Sequence, residues 1–232
     1  MTAKGIFFDF YGTIYVLGNM TDELDEWITE LYTRLKLNGL TATREDVWNY
    51  YHQRMWQQNL RKPGNGMTIF ERRIQITCSD FGITMTRAEI ENTAIALLGV
   101  WDKYAFLDPA CIPLLGSLNE QGKIIALISN YDHPRHIHNL IRKEGMKDYF
   151  SAVIVSGDYE FKKPDPTIFQ LALENTGMKA CETIYVGDSE EDVVGAKSAG
   201  MISVLIDRNH HGRDYGQQYT ISALQDILRI II

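Results

Sequence analysis

The sequence predicts an α/β fold: a doubly wound, Rossmann-like parallel sheet with an inserted α-helical domain. Three observations carry this. A continuous apolar run, Ile6-Phe7-Phe8, ends in Asp9 and the turn Phe10-Tyr11-Gly12-Thr13, as suits a strand buried on both faces. Beyond about residue 105, strand-like apolar runs alternate with helical ones, which implies parallel strands joined by right-handed crossovers. Between these stretches, from about Asp22 to Tyr104, the apolar residues recur with helical period. The first strand must join the later sheet, so residues 1–16 and 105–232 form the α/β core and residues 17–104 the insertion.

Taken in order, Leu24, Trp27, Ile28, Leu31, Tyr32 and Leu35 define the first helix by their three- and four-residue steps. Thr43 opens the second as N-cap, with Asp46 completing a capping box. Its apolar face would hold Val47, Tyr50, Tyr51, Met55 and the stem of Arg54. Pro63-Gly64-Asn65-Gly66 is a loop, and a third helix follows over about 68–78. Thr86-Arg87-Ala88-Glu89 opens a fourth, running through Ala94, Leu97 and Leu98 to about Trp101. Trp27, Trp48, Trp56 and Trp101 all fall in this region and read as bundle core, with one or two available to line a substrate entrance. The second half predicts helices over 110–121, 134–143, 165–174 and 190–199, and strands over 123–128, 152–155, 183–186 and 203–206. Residues 222–232 read as a closing amphipathic helix whose isoleucines belong to the core.

The 232 residues, 45% of them hydrophobic, suffice for one full domain and a smaller insertion. A net charge of −7 argues against nucleic acid or an anionic membrane as the main partner, so an anionic small molecule would need a local positive site. Cys78, Cys111 and Cys181 are widely spaced and form no CxxC pair, which predicts reduced thiols in a cytoplasmic protein. Residues 1–20 carry Lys4 as their single basic group and lack the pattern of a secretory leader. No apolar run approaches the ~18 residues that a membrane span requires.

Polar groups of one chemical kind recur at the predicted strand ends. Asp9 ends the first strand, and Ser129-Asn130 follows Ile124-Ile125-Ala126-Leu127-Ile128. Lys162-Lys163-Pro164-Asp165-Pro166 precedes a helix, and Gly187-Asp188-Ser189 follows Ile184-Tyr185-Val186, with Asp192 four residues on. Parallel strands share one rim for these ends, so a carboxylate, a hydroxyl, a lysine and an acidic pair converge. This order and spacing resembles the four motifs of the haloacid dehalogenase-like hydrolase superfamily, over essentially the whole chain. The helical insertion after the first motif is similar to the family's α-helical (type I) cap.

The resemblance implies that Asp9 is the nucleophile of an aspartyl-phosphate mechanism, with Lys163 as its point charge. It implies Mg²⁺ held by Asp9, Asp188, the Tyr11 carbonyl and, in or beside its outer shell, Asp192. Ser129 and the backbone N–H groups near Phe10, Tyr11 and Asn130 would hold the phosphoryl oxygens, and Thr13 would brace the first loop. The substrate would be a small phosphorylated metabolite and the protein a monomer or homodimer. Ser189-x-x-Asp192 is also a helix-capping pattern, so Asp192 can serve both roles. His133, His136 and His138 have a ligand-like spacing but follow a proline helix start, and histidine is a poor magnesium ligand.

One position departs from the family pattern Asp-x-Asp-Gly-Thr. Tyr11 replaces the second Asp, which protonates the leaving oxygen in the family's phosphatases. Asp-x-Tyr-Gly-Thr looks like the metal-independent 2-haloacid dehalogenase branch. That branch normally lacks the acidic pair that stands here at Asp188 and Asp192, and carries an aromatic hydroxyl where this chain has Phe169. The expectation is a magnesium-dependent phosphatase restricted in leaving group. A dehalogenase and a catalytically silent binding protein of the same fold are the alternatives.

Overall fold

A computed structural model describes residues 3–58, 60 and 64–231. Six parallel strands form the sheet: β1 (Gly5–Phe8), β4 (Ile124–Ser129), β5 (Ala152–Val155), β6 (Thr183–Gly187), β7 (Ile202–Ile206) and β8 (Tyr219–Ile221). Their order is β5-β4-β1-β6-β7-β8, which places β1 at the centre. Phe8 is level with Leu127 of β4 on one side and Val186 of β6 on the other. The next residue, Asp9, continues the ladder through its N–H to Val186 O at 2.9 Å.

Both faces of β1 are buried, which is why its sequence is apolar without alternation. Ile6 and Phe8 point to one cluster with Ile125, Leu127 and Val186, covered by α5 (Cys111–Glu120) and α6 (Pro134–Lys143). Phe7 points to the other with Ala126, Ile128 and Tyr185, covered by α7 (Pro166–Thr176) and α8 (Glu190–Ser198). Helices on both faces of a parallel sheet make the predicted doubly wound α/β architecture.

Helices α1 (Glu23–Leu37), α2 (Arg44–Gln53), α3 (Ile69–Asp80) and α4 (Arg87–Asp102) enclose a separate cluster built on Trp27, Ile28, Leu31, Val47, Phe70, Ile74 and Leu97. Thr43, Thr68 and Thr86 cap α2, α3 and α4, each in a full capping box with the acid three residues on. Arg54 departs from its expected place: α2 ends at Gln53, and the side chain lies exposed over the Tyr50 ring instead of burying its stem. Of the predicted loop, Gly64, Asn65 and Gly66 are described, and Pro63 lies outside the described residues, as does Ile232 at the tail.

A two-stranded antiparallel ribbon, which sequence period did not reveal, stands where the chain passes to these helices and returns. It pairs β2 (Tyr15–Leu17) with β3 (Ala105–Leu107), strands too short to show alternation. The predicted C-terminal helix is also corrected. Residues 219–221 form β8, and Leu224–Arg229 form a 3₁₀ turn that buries Leu224 and Ile227, with Ile231 buried after it. No helix among the described residues is long and apolar enough to cross a membrane.

Candidate active site

The carboxyl ends of β1, β4 and β6 bring Asp9, Ser129 and Asp188 to one rim, and the loop before α7 adds Lys163. Lys163 is buried, and its Nζ stands 2.5 Å from Asp9 Oδ1 and 2.7 Å from Asp192 Oδ1. It also donates to Ile128 O at 3.3 Å and lies 3.2 Å from the Tyr185 hydroxyl. Oxygen atoms of Asp9, Asp188 and Asp192 all lie within 4.8 Å of one another. Thr13 is fully buried behind Asp9, with Oγ1 3.4 Å from Asp9 Oδ2.

Two glycines make this approach possible. Gly12 has φ +87°, and a Cβ there would lie 2.3 Å from Asp188 Oδ2. A Cβ on Gly187 would lie 2.3 Å from Asp192 Cγ. Asp192 spends its second oxygen on the start of α8, accepting from the N–H groups of Asp188 (3.1 Å) and Ser189 (3.0 Å) and from Ser189 Oγ (2.6 Å). One side chain thus completes the helix cap and holds Lys163.

Charge is out of balance here. Burial pushes the Asp9 carboxyl up to about 7, because one lysine shared with Asp192 does not offset the loss of water and the neighbouring carboxylates. Burial and Asp192 likewise push Asp188 up to about 6. Burial opposes the charge on Lys163, but Asp192 and Asp9 outweigh it and hold the ammonium well above its ordinary value. Arg213 donates to the Asp188 carbonyl at 2.9 Å, not to its carboxylate. Three carboxylates therefore face one lysine.

The remaining sequence-predicted residues surround this group. Ser129 is buried at the end of β4, and its hydroxyl enters no hydrogen bond among the described residues. The Phe10 ring is fully buried in the core, which leaves only its backbone for a ligand. The N–H groups of Phe10, Tyr11 and Asn130 are likewise outside the backbone hydrogen bonds of the described residues. The Asn130 side chain does something the sequence did not suggest: its Oδ1 accepts the Lys163 N–H (2.9 Å) and its Nδ2 donates to the Lys163 carbonyl (3.0 Å).

Tyr11 turns into an aromatic cluster, with ring centroids 5.0 Å from Phe10, 5.9 Å from Tyr15, 5.8 Å from Trp101 and 5.3 Å from Tyr131. Its hydroxyl is buried beside Tyr131 without a well-formed hydrogen bond, and burial raises its pKa far above the ordinary tyrosine value. Tyr185 and Arg213 were missed by sequence reasoning. Tyr185 reads as an ordinary strand residue, and Arg213 sits in a loop with no motif. His133 and His136 face Glu71 (3.6 Å) and Asp102 (3.0 Å) and do not join the metal-competent acids.

A cavity of about 290 Å³ adjoins the rim between α1, α3, α4 and the segment after β4. Trp27, Trp56 and Trp101 line it, three tryptophans where the sequence suggested one or two, while Trp48 packs against His52.

The family profile of the haloacid dehalogenase-like hydrolases matches residues 3–200. A phosphoglycolate phosphatase of Salmonella choleraesuis (strain SC-B67) is 33% identical over 123 residues, 53% of this chain and 47% of the relative. The chain spans about half the length of the curated relatives it matches. Among solved structures, a HAD phosphatase from Thermococcus onnurineus is similar with TM-score 0.72 at 24% identity, covering 98% of this chain and 97% of that one. A 2-haloacid dehalogenase from Pseudomonas syringae pv. Tomato DC3000 is similar with TM-score 0.67 at 21% identity, covering 99% and 98%. At these identities the structural likeness is one of fold.

Proposed function

The chain belongs to the haloacid dehalogenase-like hydrolase family, and we propose that within it the protein is a magnesium-dependent phosphatase of small phosphate esters. The observation that carries this reading is the charge count: three carboxylates within 4.8 Å of one another face a single lysine. A divalent cation would balance the remainder, and the hard oxygens of Asp9, Asp188 and the Tyr11 carbonyl suit magnesium. Asp192, occupied by Lys163 and the α8 cap, fits a place beside the ion and not in its inner shell. When bound, the ion supplies charge neutralisation for the phosphoryl oxygens.

Lys163 and Thr13 hold the Asp9 carboxylate. Asp9 attacks phosphorus, a P–O bond to aspartate forms, and the bond to the ester oxygen breaks with its electron pair passing to the leaving group. Water then cleaves the aspartyl-phosphate, freeing inorganic phosphate and restoring Asp9. Ser129 Oγ and the N–H groups of Phe10, Tyr11 and Asn130 receive the phosphoryl oxygens, with Lys163 as the fixed positive charge. Phosphoglycolate phosphatase is the name of the cited relative. Residues 17–104 act as a cap over the core of 1–16 and 105–232, and the three unpaired cysteines accord with a cytoplasmic enzyme.

Tyr11 is the feature that favours a second reading, a metal-independent 2-haloacid dehalogenase. The crowded carboxylates weigh against it, because an anionic haloacid would add a further negative charge. Two assays separate the readings. We expect inorganic phosphate from acetyl phosphate, dependent on magnesium, and no halide from 2-chloropropionate. Halide release without metal, and no phosphate release with it, overturns the phosphatase.

A further inference from the structure

We propose that the leaving group of the substrate is uncharged and aromatic, and that it seats in the cavity between the α1–α4 helices and the segment after β4. The inference rests on the phosphatase reading above and deepens it.

The cavity is continuous with the chemistry. Asn130 and Tyr131 line it and directly follow Ser129, and the Tyr131 and Trp101 rings pack on Tyr11, two residues beyond the nucleophile. Its walls are ring faces: Trp27, Trp56 and Phe70 form one packed group, with Trp56 and Phe70 parallel at 6.4 Å, and Trp101 and Tyr131 belong to the group around Tyr11. An apolar cavity of about 150 Å³ accommodates benzene, so about 290 Å³ holds one ring on a short linker or a fused pair. Trp56 remains 45% exposed, and a ligand ring would remove part of that surface from water.

Two other ligand chemistries fit less well. A polyol needs a dense set of free hydrogen-bonding groups, and here Trp101 Nε1, His133 Nε2, Glu23 and Lys162 are spread among ring faces while the other polar groups are engaged. The Asn130 amide holds Lys163 and Glu191, Ser156 Oγ accepts the Tyr131 N–H, Asp132 pairs with Arg73 at 2.7 Å, and His133 Nδ1 caps α6. A cationic head group would call for net negative charge, but the lining carries Lys162 as well as Glu23, and Asp132 is paired with Arg73. The ring-faced walls thus suit a neutral ring better than either.

The test compares KM values, and its first pair, 2-phenylethyl and ethyl phosphate, has nearly equal leaving-group basicity, so that their difference reports binding and not bond cleavage. 2-Phenylethyl phosphate should have a KM at least about tenfold below that of ethyl phosphate, as burial of one ring predicts, and below that of phosphocholine. Trp56→Ala should shrink this preference by raising KM for the phenylethyl ester more than for the ethyl ester, and Trp56→Phe should keep it. Equal KM values for the phenylethyl and ethyl esters, or the lowest KM for phosphocholine, overturns the proposal. Acetyl phosphate tests the phosphatase reading separately. If it releases no phosphate, quenching of tryptophan fluorescence by benzylphosphonate decides the cavity alone: saturable quenching supports the aromatic site, and its absence overturns it.

Discussion

Asn130 grips Lys163 by both edges of its backbone, accepting from the N–H at 2.9 Å and donating to the carbonyl at 3.0 Å. A strand-end residue thereby fixes a lysine thirty-three positions later, so that its ammonium lies between Asp9 and Asp192. The lysine is positioned by its backbone as much as by its charge partners.

Asn130→Ala is therefore expected to lower kcat by about 10²-fold, the scale of a misplaced catalytic group. Steady-state kinetics and a melting curve check this together. A kcat loss with an unchanged melting temperature identifies a positioning role, whereas unaltered kcat removes it.

Asp9→Asn should abolish turnover, since an amide does not replace the attacking carboxylate. In magnesium-free buffer the variant should melt no lower than wild type, because one of three crowded carboxylates is gone. Phosphate release and calorimetry read both outcomes, and retained turnover sinks the nucleophile assignment.

Magnesium should raise the wild-type melting temperature by mass action, with a gain of roughly 2.7 kcal/mol at a hundredfold excess over Kd. Asp188→Ala should erase that rise, since Asp188 approaches Asp9 and Asp192 but forms no ion pair with Lys163. A wild-type melting curve indifferent to millimolar magnesium contradicts the metal site.

His133 offers a test of pH dependence away from these acids. Burial lowers its pKa from 6.5, with Glu71 opposing and Arg135 and His136 assisting, and its Nδ1 accepts the His136 N–H at the start of α6. The folded state thus prefers neutral imidazole more than the unfolded chain does. The sign follows: this contribution is full above about pH 6.5 and is lost as pH falls below it. His133→Asn keeps a capping acceptor and removes this loss, so that between pH 7 and 5.5 its urea midpoint should rise relative to wild type, against the common background in which the raised carboxyls of Asp9 and Asp188 favour the folded state at lower pH.

Much of the architecture was legible because buried parallel strands write themselves as unbroken apolar runs, as at Ile6–Phe8 and Ile124–Ile128. The rim residues were legible because strand ends share an edge. What stayed hidden depends on contacts made only in three dimensions. The three-residue strands β2 and β3 carry too little pattern, and the Asn130 amide bond to Lys163 has no local signature. Trp27 and Trp56 look identical to core residues by spacing, although they also line a cavity. The short apolar runs of the tail from Ser222 suit several conformations, and in place of the expected helix Leu224–Arg229 form a 3₁₀ turn.

Tyr11 decides how the chemistry is limited. Its hydroxyl is buried, and burial raises its pKa, so it keeps its proton and cannot serve as the base at neutral pH. General acid–base help typically contributes about 10²–10⁴-fold, and wild type should lack it. Turnover should then fall steeply as the leaving group becomes more basic, with acetyl phosphate far faster than alkyl phosphates. Tyr11→Asp should flatten that dependence and accelerate poor leaving groups most. The substitution also empties space against Trp101 and Tyr131, at a cost on the order of 3 kcal/mol. Tyr11→Asn, which leaves a similar gap without an acid, separates the two effects. The decisive measurement is kcat/KM against leaving-group pKa for wild type and both variants, with folding checked by melting. A folded Tyr11→Asp protein that is slower than wild type on every ester would mean that the tyrosine takes part in a different reaction, and the phosphatase reading would fall.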